Sequence, residues 1–127
     1  MFKKIHMSSA APAPIGPYSQ AVEIDGLVFC SGQIALDATT GQVVFGGVAE
    51  QTRKVMANIE EVLKAAELSF ANVIKTTIFL RDMSDFSAVN EVYSSYFRDA
   101  FPARSTVAVA GLPKDVRVEI EIIAKRL

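Results

Sequence analysis

The side chains that could carry chemistry in this chain of 127 residues are few. It has one histidine, His6, and one cysteine, Cys30, so an internal disulfide and a cysteine-only zinc site are both excluded. A nucleophile activated by histidine would depend on His6, which lies near a chain end that we expect to be flexible and at the surface. The remaining candidates are charged: Arg104 two residues after a proline, and Glu119 and Glu121 at spacing i, i+2.

Residue type alone leaves a second interpretation open for each candidate. An arginine at the start of a strand is commonly exposed, so Arg104 need not bind anything. Glu119 and Glu121 fit a solvated strand face as well as a pair of catalytic acids. Tyr18 fits a packing residue, and Gly32 fits a bulge or turn glycine.

Composition and charge limit the class of protein. Half of the residues are hydrophobic, and 13 basic residues against 14 acidic ones give a net charge of −1, which is typical of one globular domain over 1–127. No excess of positive charge favours nucleic-acid binding. There is no apolar run of the roughly 18 residues that span a bilayer and no secretion signal. We therefore expect no membrane, a cytoplasmic or otherwise reducing compartment, and a buried Cys30 thiol.

Hydrophobic periodicity predicts the elements that must position these residues. Ser84 is predicted to cap the second helix, whose buried face comprises Phe86, Val89, Tyr93 and Phe97, and Asp25-Gly26 is predicted as a tight hairpin turn. A proline-rich loop is predicted at 8–17, strands at 18–24, 27–31, 73–81, 105–109 and 116–125, and helices at 48–66 and 86–97. The order favours an α+β fold, a single mixed β-sheet with two helices packed on one face.

The last predicted strand has two different faces, because side chains alternate along a strand. Its apolar face, which we expect against the helices, comprises Val116, Val118, Ile120, Ile122 and Ala124. The other face is mixed and comprises Arg117, Glu119, Glu121, Ile123 and Lys125. The middle strand adds a similar mixed face with Val73, Lys75, Thr77, Phe79 and Arg81. Such a face is either washed by solvent or packed on another subunit, and we favour a subunit contact with a cleft between chains.

Five short motifs in order carry a resemblance to a known family. They are IGPYSQA at 15–21, CSGQI at 30–34, KTTIFL at 75–80, FPARS at 101–105 and LPKDVRVEIE at 112–121. Together they resemble the RidA/YjgF family of enamine/imine deaminases, over about 15–124. The resemblance implies a chorismate-mutase-like fold and a homotrimer with clefts between subunits. It also implies hydrolysis of 2-enamine and 2-imino acids to 2-keto acids and ammonia, without a cofactor.

The resemblance implies two main site residues. Arg104 falls on the family's carboxylate-binding arginine, and the fixed fork of a guanidinium suits a planar carboxylate. Glu119 falls on the acid that positions the attacking water, and a carboxylate in that role contributes about 10²–10⁴-fold. Lying beside Arg104, Glu119 is expected to be held ionised.

The same resemblance assigns further contacts to the substrate. Tyr18 is implied as the cleft tyrosine, Asn90 as a cleft asparagine, and Ser31 and Gly32 as backbone contacts, with their N–H groups facing an anion. Thr106 occupies a substrate-binding position that is cysteine in some members, so that thiol is not required in this chain.

Two other functions remain open at this stage. The chain could bind a small keto or imino acid without turnover, as a sensor, a regulatory partner or a chaperone, since a binding site would also keep Arg104. A ribonuclease or translation inhibitor is the other alternative, and the near-neutral charge and single histidine argue against it.

Overall fold

The computed structural model describes residues 2–127 and contains one six-stranded sheet and two helices. In chain order the elements are β1 (Lys4–His6), β2 (Ala21–Ile24), β3 (Leu27–Gln33), α1 (Val48–Ala65), β4 (Val73–Leu80), α2 (Phe86–Ser94), β5 (Ala103–Ala108) and β6 (Val118–Lys125). The strands are ordered β1-β2-β3-β6-β4-β5, with β5 parallel to β4 and every other pair antiparallel. The predicted α+β class with a single mixed sheet is confirmed.

The β2–β3 hairpin and α1 form where the local sequence predicts them. Asp25 and Gly26 both have positive φ, 53° and 78°, which is the conformation that a two-residue turn between twisted strands requires. The helix buries one side, including Val55, Ile59 and Leu63, against the sheet. Its amphipathic spacing therefore fixed both its length and its orientation.

The N-terminal region differs from the prediction. The predicted strand at 18–24 begins only at Ala21. Tyr18 lies in a tight turn instead, where its N–H donates a hydrogen bond to the carbonyl oxygen of Gly16 at 2.9 Å. The edge strand β1 was not predicted, since three residues carry too little pattern. His6 is buried there, with 6% of its surface exposed, and its Nε2 lies 2.7 Å from Oε1 of Glu23. The expectation that His6 lies at the surface is wrong.

The start of α2 also differs from the prediction. Ser84 is not the cap: its backbone N–H donates to Oδ1 of Asp82 at 2.8 Å, within a short 3-10 turn that precedes the helix. Phe86, predicted as buried, is 38% exposed. The helix ends at Ser94, so Phe97 lies beyond it, although its side chain is buried as predicted.

A β-bulge explains the one misplaced side chain of β4. The register shifts between Val73 and Lys75, which turns Val73 into the core instead of onto the outer face. Lys75, Thr77 and Phe79 lie on the outer face as predicted. The two C-terminal strands are shifted from the predicted 105–109 and 116–125, so that β5 begins at Ala103 and β6 at Val118.

The helices cover one face of the sheet, and the other face is open. The apolar side of β6 is buried under the helices as predicted. Val116, predicted on the same face, lies before β6 and is buried in a separate small cluster with Ile34 and Leu36. The open face carries partly exposed apolar side chains, including Phe29 at 43%, Ile74 at 48% and Val107 at 42%. In residues 2–127, no helix is long and apolar enough to span a membrane.

Candidate functional site

The predicted site residues form two groups on opposite faces of the sheet. Directly paired residues on neighbouring strands project to the same side. Arg104 pairs with the buried Thr76, which faces α2, whereas Glu119 pairs with Phe79 on the open face. One chain therefore does not bring Arg104 and Glu119 together.

The open face holds a cavity of about 420 Å³, which we call the Glu119 pocket. Four predicted site residues meet in it: Tyr18, Ser31, Gly32 and Glu119. The remaining walls are mostly apolar and are formed by Pro12, Ala13, Ile15, Gln20, Gln33, Ile34, Leu36, Pro113 and Glu121. No lysine or arginine of the described chain lines this pocket, so its only formal charges are carboxylates.

Gly32 leaves the space that the Glu119 carboxylate occupies. A Cβ built at Gly32 would lie 2.9 Å from Cδ of Glu119 and would overlap its Oε2. The strand register also shifts between Cys30 and Gln33, so the glycine sits at an irregularity in β3. Gly32 is thus both a bulge glycine and a requirement for the close approach of Glu119.

Burial raises the pKa of Glu119 above its usual value, and the nearby negative charge of Glu121 raises it further. Both effects disfavour the ionised carboxylate. The expected stabilisation of that charge by Arg104 is absent within one chain, because the two side chains lie on opposite faces. A cation or a hydrogen-bond donor from a ligand or another chain would lower this pKa.

The loop before β2 forms the wall of the Glu119 pocket through a buried glutamine that sequence reasoning missed. Nε2 of Gln20 donates to the carbonyl oxygen of Pro12 at 2.9 Å. The Ser31 N–H donates to the carbonyl oxygen of Gln20 at 2.9 Å, and the Ser31 hydroxyl donates to that of Ser19 at 2.6 Å. Both Ser31 donors are therefore engaged, and the predicted anion contact would have to come from Gly32.

On the helix-covered face, three side chains of α2 lie against the guanidinium of Arg104. Its Nη1 donates to Oδ1 of Asn90 at 2.7 Å. Its Cζ lies 5.1 Å from the ring centroid of Tyr93 and 5.5 Å from that of Phe86, within the range of cation–π contacts. We call these four residues the Arg104 cluster.

Sequence reasoning treated Phe86 and Tyr93 only as core residues. Their spacing with Asn90 is i, i+4, i+7, which places all three on one face of α2. That spacing is the signal that could have identified the cluster.

Thr106 lies beside the Arg104 cluster and has an unusual hydroxyl. Its Oγ1 is buried without a hydrogen-bond partner among residues 2–127, an arrangement that is costly unless a further group supplies one. A surface depression of about 270 Å³ opens on the other side of Arg104 and is lined by Asn90, Tyr93, Ser94, Phe101 and Pro102. Both features fit a region that receives a ligand or another chain.

Two other arginines show how this chain satisfies a guanidinium internally. Arg117 donates from Nε and Nη2 to the carboxylate of Asp85, and Arg126 donates from the same two nitrogens to Glu23. In residues 2–127, the Nε–Nη2 edge of Arg104 has no carboxylate partner. This edge can therefore take up a carboxylate from a ligand.

The described residues contain no group of three or more His, Cys, Asp or Glu side chains placed to hold a metal ion.

This α+β chain has the Glu119 pocket on one face of its sheet and, on the other face, an arginine whose Nε–Nη2 edge meets no carboxylate among residues 2–127. The arginine edge is the kind of group with which a protein binds a small carboxylic acid. Residues 8–126 match the family model described as Endoribonuclease L-PSP, so the chain belongs to that family, and the predicted RidA/YjgF membership is confirmed. A Bos taurus protein named 2-iminobutanoate/2-iminopropanoate deaminase is 52% identical, over 98% of this chain and 90% of that protein.

Solved structures agree with this assignment. The YjgF gene product from E. coli is 43% identical, with a TM-score of 0.92 over 98% of this chain and 99% of that one. E. coli TdcF with bound serine is also 43% identical, with a TM-score of 0.93 and the same coverage.

Proposed function

We propose that this protein is an enzyme that hydrolyses 2-imino acids and their enamine tautomers to 2-keto acids and ammonia. The observation that carries the proposal is the free Nε–Nη2 edge of Arg104, which suits the carboxylate that all these substrates share. The 52% identity to a 2-iminobutanoate/2-iminopropanoate deaminase supports the same reaction. The serine bound to TdcF, itself a small molecule with a carboxylate, supports a ligand of this size.

The active site is proposed to lie between subunits of a homotrimer. Arg104 and Glu119 lie on opposite faces of one chain, so a single substrate can reach both only if they come from neighbouring chains. The open face with Phe29, Ile74 and Val107 offers the apolar area that a subunit contact buries. Arg104 of one subunit then faces the Glu119 pocket of the next, and its positive charge lowers the pKa of that glutamate.

The proposed reaction needs a placed water and a proton relay. Arg104 binds the substrate carboxylate and thereby orients the adjacent C=N carbon. Glu119 takes a proton from the attacking water as its oxygen bonds to that carbon. Glu119 passes that proton to the nitrogen, which gives a carbinolamine. It then takes the proton of the carbinolamine hydroxyl and delivers it to the same nitrogen, so that the C–N bond breaks, the keto group forms and ammonia leaves. We propose that no cofactor takes part, because the imine carbon is already electrophilic.

Ammonia and keto-acid release from 2-iminobutyrate generated in situ tests the proposal. Wild type should accelerate release, and Arg104→Ala should lose about 100-fold in kcat/KM. Arg53→Ala is a matched control, since that arginine side chain is 56% exposed on α1 and should leave the rate unchanged. Equal acceleration by wild type and Arg104→Ala would place the activity elsewhere in the molecule.

Analytical ultracentrifugation at micromolar concentration tests the shared site. A trimer is the expected species, and a monomer with full activity would overturn the assignment of both half-sites to one reaction.

The family description names a nuclease, so RNA cleavage is a second candidate to measure. His6, the one histidine, is buried and hydrogen-bonded to Glu23, and the net charge is −1. RNA binding that falls steeply between about 50 and 200 mM salt would favour this alternative.

Ligand binding by a trimer without turnover would favour a sensor. The cytoplasmic location stays a prediction.

A further inference from the structure

Tyr93 connects the Arg104 guanidinium to the interior of the protein. The side chain is buried, and its ring centroid lies 5.1 Å from Cζ of Arg104. Its hydroxyl is within 2.7 Å of Oγ1 of Thr76, which is completely buried. Thr76 is also the direct partner of Arg104 across the β4–β5 pair. Thr76 on β4, Tyr93 on α2 and Arg104 on β5 are therefore linked in a ring of three pairwise interactions.

The state of the phenol suits this contact. Burial raises the pKa of Tyr93, and the hydrogen bond to Thr76 and the charge of Arg104 only partly oppose that rise. The phenol therefore stays neutral at physiological pH, and its hydrogen bond fixes the ring plane. A fixed aromatic face beside a guanidinium restricts the positions that the cation adopts.

We propose that Tyr93, held by Thr76, is a positioning residue for substrate binding by Arg104. Nη1 of the guanidinium donates to Asn90 and Cζ lies 5.1 Å from the Tyr93 ring centroid, so neither contact uses the hydrogen-bond donors of the Nε–Nη2 edge that would bind the substrate carboxylate. The inference rests on the proposed function, because it concerns how that carboxylate is bound. It adds two buried residues, Tyr93 and Thr76, that act through Arg104.

Tyr96 provides an internal comparison. It lies three residues after Tyr93 in the same aromatic cluster, with its ring 5.4 Å from Phe70. Among the described residues, the hydrogen bond to Thr76 and the cation–π contact with Arg104 are made by Tyr93 and not by Tyr96. Loss of the Tyr96 ring should thus disturb packing without changing the guanidinium, and Tyr96→Leu is the matched control for Tyr93→Leu.

The experiment measures KM and kcat for 2-iminobutyrate, and the Kd for 2-ketobutyrate as a stable probe of the carboxylate site. Tyr93→Leu should raise KM and Kd about tenfold with little change in kcat. Tyr93→Phe keeps the ring and should therefore bind 2-ketobutyrate with an affinity much closer to that of wild type than Tyr93→Leu does. Thr76→Val removes only the hydrogen bond to Tyr93 and should raise the Kd about threefold. Tyr96→Leu should match wild type, and an imine without a carboxylate should react equally with wild type and Tyr93→Leu.

Several outcomes would overturn the inference. A folded Tyr93→Leu with wild-type KM and Kd would do so, as would an equal loss on the imine without a carboxylate. If Tyr93→Leu does not fold, Thr76→Val decides, and an unchanged Kd there rejects the positioning role. Absence of turnover by wild type rejects the proposed function alone, provided that 2-ketobutyrate binds and the variants follow the predicted order of Kd. Absence of both turnover and binding rejects both proposals.

Discussion

Two arginines of this chain differ in whether a carboxylate of the same chain fills the Nε–Nη2 edge of the guanidinium. Arg126 donates from Nε and Nη2 to Glu23, at 2.9 Å each, and also to the carbonyl oxygen of Ala66 at 2.8 Å. Arg104 donates to Asn90 and lies against two rings, but its Nε–Nη2 edge meets no carboxylate in residues 2–127. The same side-chain edge is thus filled at one place and open at the other.

Arg126, Glu23 and His6, which we call the filled cluster, have a structural role. Glu23 of β2 accepts from Arg126 after β6 and lies 2.7 Å from His6 of β1, so three parts of the chain are joined. These hydrogen bonds lower the pKa of Glu23 to about 2. In the open cluster the Nε–Nη2 edge of Arg104 has no carboxylate among residues 2–127, which agrees with the substrate-binding role that we propose for it. Both residues are arginines, so residue type does not distinguish them. What distinguishes them is whether the Nε–Nη2 edge already has a carboxylate partner within the chain.

The largest expected effect concerns Glu119, the residue that we propose to act together with the open Arg104 cluster. Glu119→Gln keeps the shape of the side chain but cannot accept the water proton, so kcat should fall by about 10²–10⁴-fold with little change in stability. Steady-state kinetics with 2-iminobutyrate measure it, with Glu91→Gln on the exposed side of α2 as the control. A Glu119→Gln rate within twofold of wild type would remove the acid/base role.

The next effect breaks the filled cluster. Arg126→Ala removes the main hydrogen-bond partner of Glu23, whose side chain is 13% exposed in the wild-type protein, so the free energy of unfolding should fall, and by more than it does in Arg81→Ala. Urea denaturation measures this loss, and kcat should stay unchanged where the protein is folded. Arg81→Ala removes an ion pair to Asp115, which is 87% exposed, and should cost well under 1 kcal/mol. Equal losses would contradict the structural role of Arg126.

Gly32→Ala tests the close contact in the Glu119 pocket. The added Cβ displaces the Glu119 carboxylate, and kcat should fall about tenfold, since misplaced acid/base groups lose much of their effect. Gly111→Ala is the control, because a Cβ there meets no atom within 4 Å. Kinetics of the two variants measured side by side decide the point, and equal activity would show that the glycine is not required.

The smallest effect is the pH dependence of the filled cluster. The folded-state pKa of Glu23 is lowered from 4.5 to about 2, so its carboxylate contributes full stability above about pH 4.5. That contribution is lost as the pH falls toward 2, because the unfolded state takes up the proton first. Denaturation at several pH values should show a steeper loss in wild type than in Glu23→Gln. Parallel curves would contradict a stabilising charge on Glu23.

The accuracy of sequence-based prediction differed between parts of this fold for physical reasons. The hairpin at Asp25-Gly26 and helix α1 follow from local conformational preference and from periodicity over many residues. Strand β1 and the capping of the 3-10 turn by Asp82 escaped prediction. A three-residue strand has no period, and several polar residues before α2 could have served as a cap. The inward turn of Val73 depends on a bulge, which no alternation pattern encodes.

The candidate site divides in the same way. The motifs pointed to Arg104, Glu119 and their predicted neighbours as residue types able to bind a carboxylate and handle a water. They could not show that Arg104 and Glu119 face opposite sides of one sheet, or that Gly32 makes room for the glutamate. Those facts depend on strand order and register, which are set by contacts between residues far apart in the chain.

The sequence by itself determined the family, the α+β class and the chemical types available at the site. These depend on short motifs, periodicity and composition, which are properties of neighbouring residues. Only the tertiary structure decided that the Nε–Nη2 edge of Arg104 is free while that of Arg126 is filled by Glu23. Whether a charge is paired depends on which distant side chains the packed sheet and helices bring within hydrogen-bonding distance, and a linear pattern does not contain that information.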